Sequence, residues 1–540
     1  MSVEGYTYTK IREVFEMSKV VTMDQAVAMI KPGSFVITSG FLTAGTPDAV
    51  MKAVGESFDA TGMPNNLTVM YGAGQGNKQG GQQERWAKKG LVNRFIGGHY
   101  GFSPKVIEMI LNNEVEAYNL PQGVIIEMYR AIGQGRKGYI TNVGLKTFVD
   151  PRLQGGKIND ITKEEIVKVI EVEGEEQLYY KLPKVDISII RVTTADTNGN
   201  CTIEDEILPL DSLPAAMAAK GCGGKVIVQA KNIVQADTIP SRQVAIPGIF
   251  VDAIVVPSDP EETHRQCAAH FVNPALSGTC KIPTDAVEAE PFGTKKFIGR
   301  RAAMELVPAA VVNLGVGIPE KVATVAAEEG FADQLVLTTE SGMVGGIPSG
   351  GGSFGAGVNG WAELPEISQF DMYDGGGLDV TYLGLAECDP AGNINVSKFG
   401  TNVAGCGGFI NISQNTQNCI FCGTFTAGGL KTAVEDGKLV IVQEGKKKKF
   451  ISAVEQVTFS GDYAREMGQN VKFITERCVI ELLKDGLTVT EIAPGIDLQT
   501  QVLDQMEFTP HVSENLKLMD ARIFKDEVMG IKDEILAKVK

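Results

Sequence analysis

The chain has 540 residues, of which 43% are hydrophobic and 21% are charged, with a mean hydropathy of +0.01. This length exceeds what one hydrophobic core supports and predicts two large domains or several smaller ones. The net charge of −16 argues against a nucleic-acid partner, because proteins that bind nucleic acid carry basic surfaces. No apolar run could cross a bilayer, and the first twenty residues lack the apolar core of a signal peptide. We therefore expect a cytoplasmic protein without a membrane partner.

The first elements alternate between strand and helix. Ser34–Thr38 has the pattern of a buried strand, and Thr46-Pro47-Asp48 is typical of a helix start. Leu67–Tyr71 predicts the next strand, which leads into the glycine-rich turn 72–76. Alternating strands and helices with short loops indicate an α/β fold with mostly parallel sheets covered by helices.

The second half of the chain repeats this pattern. Residues 36–71 correspond to residues 311–339, each a strand, a glycine turn, a helix opened by proline and a second strand. In this pairing Glu340 lies opposite Gly72. A feature found in both copies is needed by the fold, whereas a feature found in one copy is a candidate for chemistry.

Two further motifs occur in both halves. Asp196-Thr-Asn-Gly-Asn200 matches Asp389-Pro-Ala-Gly-Asn393, and Gly221-Cys-Gly-Gly224 matches Gly405-Cys-Gly-Gly408. We predict two similar open α/β domains, an N-terminal one over residues 1–285 and a C-terminal one over residues 295–540. Prolines and charges interrupt the pattern between them.

Glu340 is the first candidate for chemistry. It ends a strand-like apolar run and is followed by the glycine-rich stretch 342–357, which leaves space for a ligand beside its carboxylate. The position suits a nucleophile or a base. The alternative interpretation is a surface carboxylate at a strand end or the partner of a helix N-cap.

Other chemistries are less well supported. Cys406 could be a nucleophile, but its counterpart Cys222 favours a structural role for this small residue in a tight turn. The neighbouring Gly407 and Gly408 could offer backbone N–H groups to an oxyanion. His264 and His270 would point about 120° apart on a helix, so we predict no metal site. The glycines of the 72–76 turn do not fit the dinucleotide spacing.

Several segments together resemble the family I coenzyme A transferases, in particular the propionate (acetate/lactate/butyrate) branch, whose two halves form one chain. The segments are Thr339-Glu-Ser-Gly342, Gly345-Gly-Ile-Pro348, 313–320 and 404–412 in the second half, and 70–76, Leu120-Pro-Gln-Gly123 and 147–152 in the first. The resemblance spans roughly residues 20 to 520.

This resemblance implies a ping-pong transfer of coenzyme A between a short-chain acyl-CoA and a free carboxylate. The family's catalytic glutamate corresponds to Glu340, which would carry a glutamyl-CoA thioester. The Gln122 side-chain amide would stabilise one oxyanion, and the backbone N–H groups of Gly407 and Gly408 could serve another. The residues expected to contact coenzyme A are Gly315, Gly317, Gly342, Gly345, Gly346 and Asn402.

The same resemblance implies no permanently bound cofactor, with coenzyme A as substrate and covalent intermediate, and a homo-oligomer, either a tetramer or a dimer. Acetate, propionate, butyrate and lactate are the acids expected, without a choice among them. Two alternatives stay open: an acyl-CoA hydrolase on the same fold, in which water intercepts the thioester, and a non-catalytic protein that binds coenzyme A.

Overall fold

The computed structural model describes residues 18–283 and 290–538. Two large sheets dominate it, and their helices lie in the connections between parallel strands, so the α/β prediction is confirmed. The α-helices are Met23–Val27, Asp48–Thr61, Pro104–Leu111, Gln122–Gly133, Ser212–Gly221, Pro260–Thr263, Thr294–Ala303, Lys321–Glu328, Glu366–Asp374, Phe409–Gln414, Gly461–Glu466, Leu498–Gln501 and Lys532–Leu536.

The sheet of the first half consists of parallel strands. Their order is Ala253–Val255, Lys225–Val234, Ile187–Asp196, Phe35–Thr38, Leu67–Tyr71, Val92–Gly97 and Glu116–Asn119. The short strand Cys201–Thr202 pairs antiparallel with the long strand Ile187–Asp196. All ten residues of that long strand are buried, as expected for a central strand covered on both faces.

The sheet of the second half has a parallel centre flanked by antiparallel strand pairs, and its last two strands pair in parallel again. Its order is Ala362–Glu363, Met343–Val344, Val336–Thr338, Val311–Leu314, Val380–Gly384, Asn418–Cys422, Asn470–Ile474, Cys478–Leu483, Gly486–Ile492 and His511–Leu518. The five strands from Val336–Thr338 to Asn470–Ile474 are parallel. The remaining strands form small sheets: Gly138–Thr141, Glu175–Lys181 and Val167–Val172; Ile347–Pro348 with Gly357–Val358; Glu387–Cys388 with Ile394–Asn395; Lys398–Phe399 with Asn402–Val403; Thr426–Ala427 with Lys447–Lys448; and Lys431–Glu435 with Lys438–Gln443.

The strand registers support the internal repeat. Equivalent pairs are Val36 with Val69 and Ile187 in the first sheet, and Val312 with Leu337 and Val380 in the second. The first strands therefore correspond one residue later than the sequence comparison placed them. Three residues beyond Val69 and Leu337 lie Gly72 and Glu340, so the register keeps these two opposite each other.

The repeated Asp-x-x-Gly-Asn turn has the same hydrogen bonds in both halves. Asp196 Oδ1 accepts the backbone N–H groups of residues 198 and 200 at 3.0 and 2.9 Å. Asp389 Oδ1 accepts those of residues 391 and 393 at 3.0 and 3.1 Å. In each turn the asparagine side chain also donates to the aspartate, at 2.9 and 3.0 Å. The turn is therefore a duplicated structural element.

The two Gly-Cys-Gly-Gly motifs are not equivalent, which corrects the sequence comparison. Residues 221–224 end helix Ser212–Gly221 and lead into a strand, whereas residues 405–408 precede helix Phe409–Gln414. Each of these helices lies in the crossover before the next parallel strand. The residue before the helix is Asp211 in the first half and Gly408 in the second, so these two are the true counterparts.

The halves pack against each other through shared apolar clusters. Cys406, Ile410 and Tyr463 of the second half belong to the core cluster of the first sheet. Residues 267–282 contact the second half: the N–H of Ile282, for example, donates to the Asn359 side chain at 2.9 Å. The division into residues 1–285 and 295–540 stays a prediction, and parts of it, residues 1–17 and 284–289, lie outside the described residues. No helix in the described ranges is long and apolar enough to span a membrane.

Candidate active site

A cavity of about 1100 Å³ lies between the two halves. The first half contributes Phe41, Leu42, Gly74, His99, Phe102 and Gln122 to its wall, and the second half contributes the larger part. The second-half wall comes from the loop after strand Val311–Leu314, the glycine-rich loop 346–355 and residues 405–409. Loops that follow the ends of parallel strands thus meet at one crevice, the usual ligand position in an α/β sheet.

Glu340 lies at the floor of this cavity, in the tight connection between strands Val336–Thr338 and Met343–Val344. The N–H of Gly342 donates to the Thr339 carbonyl at 3.0 Å and closes the turn. Gly342 has φ +125°, and a Cβ there would lie 2.0 Å from the Leu364 carbonyl oxygen, so only glycine fits. This turn, rather than a contact with a ligand, explains why residue 342 is glycine. The turn also holds the Glu340 side chain in place.

The environment of Glu340 disfavours the ionised form of its carboxyl group. Burial alone raises the pKa of the Glu340 carboxyl to about 7. Among the described residues that line the cavity, Lys321 is the one Lys or Arg, and its ammonium group pairs with Glu290 at 2.7 Å. No described cationic side chain that is free to pair with Glu340 therefore lines the cavity, and the raised pKa places the ionisation of its carboxyl near neutral pH.

Gly408 lies directly against the Glu340 carboxylate. A Cβ on Gly408 would be 2.1 Å from Glu340 Oε2, so this contact requires glycine. Gly408 precedes helix Phe409–Gln414, and its N–H has no hydrogen-bond partner among the described residues. Gly408 therefore lies beside the Glu340 carboxylate with a free backbone donor.

Gly407 does not have a free N–H, which corrects its predicted part in an oxyanion site. Its N–H donates to the Gly98 carbonyl at 2.7 Å, and its own carbonyl accepts the N–H of Gln122 at 2.9 Å. The neighbouring Cys406 N–H donates to the Asn119 side chain at 2.9 Å. Gly407 therefore joins the two halves next to the cavity instead of offering a donor to it.

Gln122 comes from the first half and begins helix Gln122–Gly133. Its side chain is 2% exposed yet forms part of the cavity wall. The amide Nε2 donates to Glu366 Oε1 of the second half at 2.5 Å. One N–H of the amide is thereby used, and the second is available to a ligand.

Only some of the residues predicted to contact coenzyme A line the cavity. Gly315 and Gly346 line the cavity. Gly345 lies behind the wall, under the ring of Trp361, where a Cβ would be 2.3 Å from the indole. Gly317 lies in an exposed loop off the cavity wall. Asn402 is exposed in the hairpin Lys398–Phe399 with Asn402–Val403 and does not line the cavity either.

The competing nucleophile, Cys406, also lies on the cavity wall, but burial raises the pKa of its thiol well above the usual range. A neutral thiol is a poor nucleophile, so the structure favours Glu340. Within residues 18–283 and 290–538, no group of three or more His, Cys, Asp or Glu side chains is placed to hold a metal ion.

Three side chains near the site were not singled out from the sequence. His99 lines the cavity, and burial together with the Lys78 charge lowers its pKa to about 4. Its Nδ1 accepts the Gly101 N–H at 3.2 Å, so the neutral ring carries its proton on Nε2. Glu366 and Asp211 are fully buried behind Gln122. The lone histidine and the two scattered carboxylates belong to no motif, so the sequence offered no signal for them.

Comparison with known proteins agrees with this geometry. The sequence model of the family described as Coenzyme A transferase matches residues 20–257. The chain is 44% identical to a caffeate CoA-transferase of Acetobacterium woodii, over 97% of this chain and the whole of the relative. It is 46% identical to the acetate CoA-transferase YdiF of Escherichia coli K12, over 91% of each chain.

Solved structures extend the similarity to three dimensions. A crystal structure of the acyl-CoA transferase YdiF from E. coli O157:H7, described as a thioester complex with CoA, superposes with a TM-score of 0.89. It shares 42% sequence identity and covers 95% of this chain and 97% of its own. The chain therefore belongs to the coenzyme A transferase family and is an enzyme that transfers coenzyme A between an acyl-CoA and a carboxylate.

Proposed function

We propose that the protein exchanges coenzyme A between short-chain carboxylic acids by a ping-pong mechanism through a glutamyl-CoA thioester on Glu340. One observation carries this proposal: the carboxylate of Glu340 lies at the cavity floor with a raised pKa, no counter-ion and an unhindered glycine beside it. The YdiF structure described as a thioester complex with CoA supports the same covalent intermediate here.

The chemistry consists of two displacements. A Glu340 carboxylate oxygen attacks the thioester carbonyl, the C–S bond breaks, and an acyl-glutamyl anhydride and CoA thiolate result. The thiolate then attacks the glutamyl carbonyl, the anhydride C–O bond breaks, and the donor acid leaves as a carboxylate. An incoming carboxylate reverses both steps. Thioester is exchanged for thioester without net proton transfer, so the chemistry needs no external energy.

Each step passes through a tetrahedral oxyanion that needs preorganised donors. The unpaired N–H of Gly408 lies next to the Glu340 carboxylate, where the oxyanion on the glutamyl carbon would form. The Gln122 side chain, whose amide keeps a second N–H, lines the same cavity from the other half. We assign these two donors to the oxyanions, and we propose Gly315 and Gly346 as contacts of the CoA arm.

The cavity wall supports monocarboxylates as substrates. A dicarboxylate would bring a second charge into a cavity whose described wall carries only Lys321, already paired with Glu290. Phe41, Leu42 and Phe102 offer apolar surface to an alkyl chain. We propose acetate, propionate, butyrate or lactate. Caffeate, the acid named for one relative, belongs in the same substrate panel.

Oxygen labelling tests the mechanism. With propionyl-CoA as donor and ¹⁸O-labelled acetate as acceptor, the label should pass through the Glu340 carboxylate into the released propionate over repeated turnovers. Parallel lines in double-reciprocal plots should accompany it. Release of propionate labelled from ¹⁸O-water, without acetyl-CoA, would instead establish the hydrolase alternative. Binding of CoA without either product would establish the non-catalytic one.

We also propose a homo-oligomer, a dimer or a tetramer, and the domain division at residues 285–295. Sedimentation equilibrium of the full chain measures the first. Limited proteolysis tests the second, and cleavage confined to sites far from that segment would contradict the division.

A further inference from the structure

Behind Gln122, away from the cavity, two carboxyl groups are enclosed by protein. Glu366 is 0% exposed and accepts the Gln122 amide N–H on Oε1. The backbone N–H of Glu366 donates to the Leu210 carbonyl at 3.2 Å, which brings Glu366 next to Asp211. Asp211 is also 0% exposed, and its Oδ1 accepts the Gly40 N–H at 2.8 Å.

The second oxygen of each carboxyl group has no hydrogen-bond partner. Glu366 Oε2 and Asp211 Oδ2 are both buried and unpaired. An unpaired buried carboxylate oxygen is costly, and two neighbouring carboxylates repel each other. A proton on Glu366 Oε2 would remove the repulsion between the two groups and leave Glu366 Oε1 free to accept from Gln122.

The electrostatics agree with such a proton. Burial, followed by the negative charge of Asp211, raises the pKa of Glu366 well above its usual value. Burial raises the pKa of Asp211 to about 6. Glu340 and Tyr129 are the other titratable side chains whose charges bear on the pair. Both carboxyl groups therefore hold a proton more readily than an exposed carboxyl would.

We infer that Glu366 is a positioning residue for Gln122: its Oε1 accepts one N–H of the amide and thereby holds the amide in the orientation that leaves the second N–H for the oxyanion. This inference rests on the proposed function of Glu340. An unanchored glutamine could turn its carbonyl toward the developing negative charge, where it would repel rather than stabilise. Because Glu366 Oε1 accepts a hydrogen bond, the amide must present its NH₂ group to that side.

The first half has a carboxylate, Asp211, at the position that corresponds to Gly408 in the second half. Asp211 is the counterpart of Gly408, and a Cβ on Gly72 would lie 3.7 Å from Asp211 Oδ2. In the second half the carboxylate comes from the strand end and faces a glycine. In the first half the glycine is at the strand end and the carboxylate faces it. The same arrangement supplies a nucleophile in one half and a buried carboxyl group next to Glu366 in the other.

Substitutions at Glu366 test the inference. E366M removes the acceptor and should lower kcat about 10²-fold, as loss of one oxyanion donor does, with KM for acyl-CoA unchanged. Q122M should cost the same, and the double variant no more than either single one. E366Q mimics the protonated carboxyl, since it keeps an acceptor for Gln122 without the charge, and should stay within about threefold of wild type. Q369M, which removes another buried polar side chain from the same helix, is the matched control.

Two results would overturn the inference. Additive losses in the double variant would show that Glu366 does not act through Gln122. A loss of kcat beyond tenfold in E366Q would show that Glu366 acts through its charge and not by orienting Gln122. This test can be read even if E366M does not fold. Detection of the CoA adduct on Glu340 in the wild type separates the two levels. Absence of the adduct would contradict the proposed function. Its presence, together with wild-type activity in E366M, would contradict only the positioning role of Glu366.

Discussion

The two strand ends at Gly72 and Glu340 occupy the same place in two copies of one fold, yet only one carries a carboxylate. Both copies have the same strand register and the same Asp-x-x-Gly-Asn turn, bond for bond. They differ where the ligand cavity lies. There the second half places a carboxylate against Gly408, and the first half places a glycine near Asp211. Duplication preserved the scaffold and divided the chemistry between the halves.

The largest effect should come from removing the carboxylate itself. E340Q keeps the volume of the side chain but not its nucleophilic oxygen, and we expect transferase activity to fall by at least about 10³-fold. The matched control is E320Q, because Glu320 is another glutamate that lines the same cavity. Steady-state exchange between propionyl-CoA and acetate measures both variants. Equal losses of activity in E340Q and E320Q would show that the carboxylate at the second strand end has no special part in the reaction.

A methyl group at Gly408 should be the next most damaging change. Gly408 has φ −82°, which alanine adopts freely, so the cost falls on the Glu340 carboxylate 2.1 Å away. Displacement of the nucleophile by about 1 Å should lower kcat about 10²-fold.

The counterpart substitution, Gly72→Ala, meets Ile126 Cγ1 at 2.9 Å. We expect it to cost about 1 kcal/mol of stability by overpacking, with activity nearly unchanged. Activity assays together with thermal unfolding of both variants measure the contrast. A G72A variant as inactive as G408A would show that the two positions are not functionally distinct.

The pH dependence of acylation should show an effect of about tenfold. Only the ionised Glu340 attacks, and with a pKa of about 7 it is roughly one-tenth ionised at pH 6 and nine-tenths at pH 8. We therefore expect kcat/KM for acyl-CoA to rise through this range and to level off above pH 8. A flat profile from pH 6 to 8 would indicate a carboxylate with an ordinary pKa.

The same raised pKa has the opposite effect on stability. The folded state disfavours the charged form of Glu340, so its contribution to stability is complete below the pKa of an ordinary glutamate and is lost as pH rises through about 7. E340Q should remove this dependence. Its unfolding midpoint should fall less between pH 6 and pH 8 than that of the wild type.

The smallest effect on activity should come from the repeated turns. Asp196→Ala and Asp389→Ala each leave two backbone N–H groups without their acceptor, and each should cost about 1–3 kcal/mol of stability. Urea unfolding measures the loss, with the corresponding Asp→Asn variants as controls that keep an acceptor. A large loss of activity in one variant alone would mean that the turn is not purely structural.

The sequence was sufficient to predict the α/β class and the repeat and to single out Glu340 as a candidate, because each follows from local patterns. Strand periodicity, glycine turns and the prolines that open helices are encoded within a few residues of one another. The pairing of Gly72 with Glu340 followed from the repeat alone, and the strand register agrees with it.

The remaining parts of the site depend on contacts between distant segments. Gln122 and Glu366 are separated by 244 residues, and no spacing rule connects them. The Gly-Cys-Gly-Gly similarity led the comparison astray, since a short motif matched where the helices did not, and it hid Asp211 as the counterpart of Gly408. Gly407 and Asn402 could be judged only from their backbone partners and exposure in the folded chain.

The central claim is that the chemistry passes through the carboxylate of Glu340 and not through Cys406 or water. The most direct measurement is peptide mass mapping after brief incubation of the protein with an acyl-CoA and rapid acid quenching. We predict a CoA thioester on the peptide that contains Glu340, discharged by added acetate with formation of acetyl-CoA and absent in E340Q. An adduct on the peptide that contains Cys406, or full turnover in E340Q, would contradict this account.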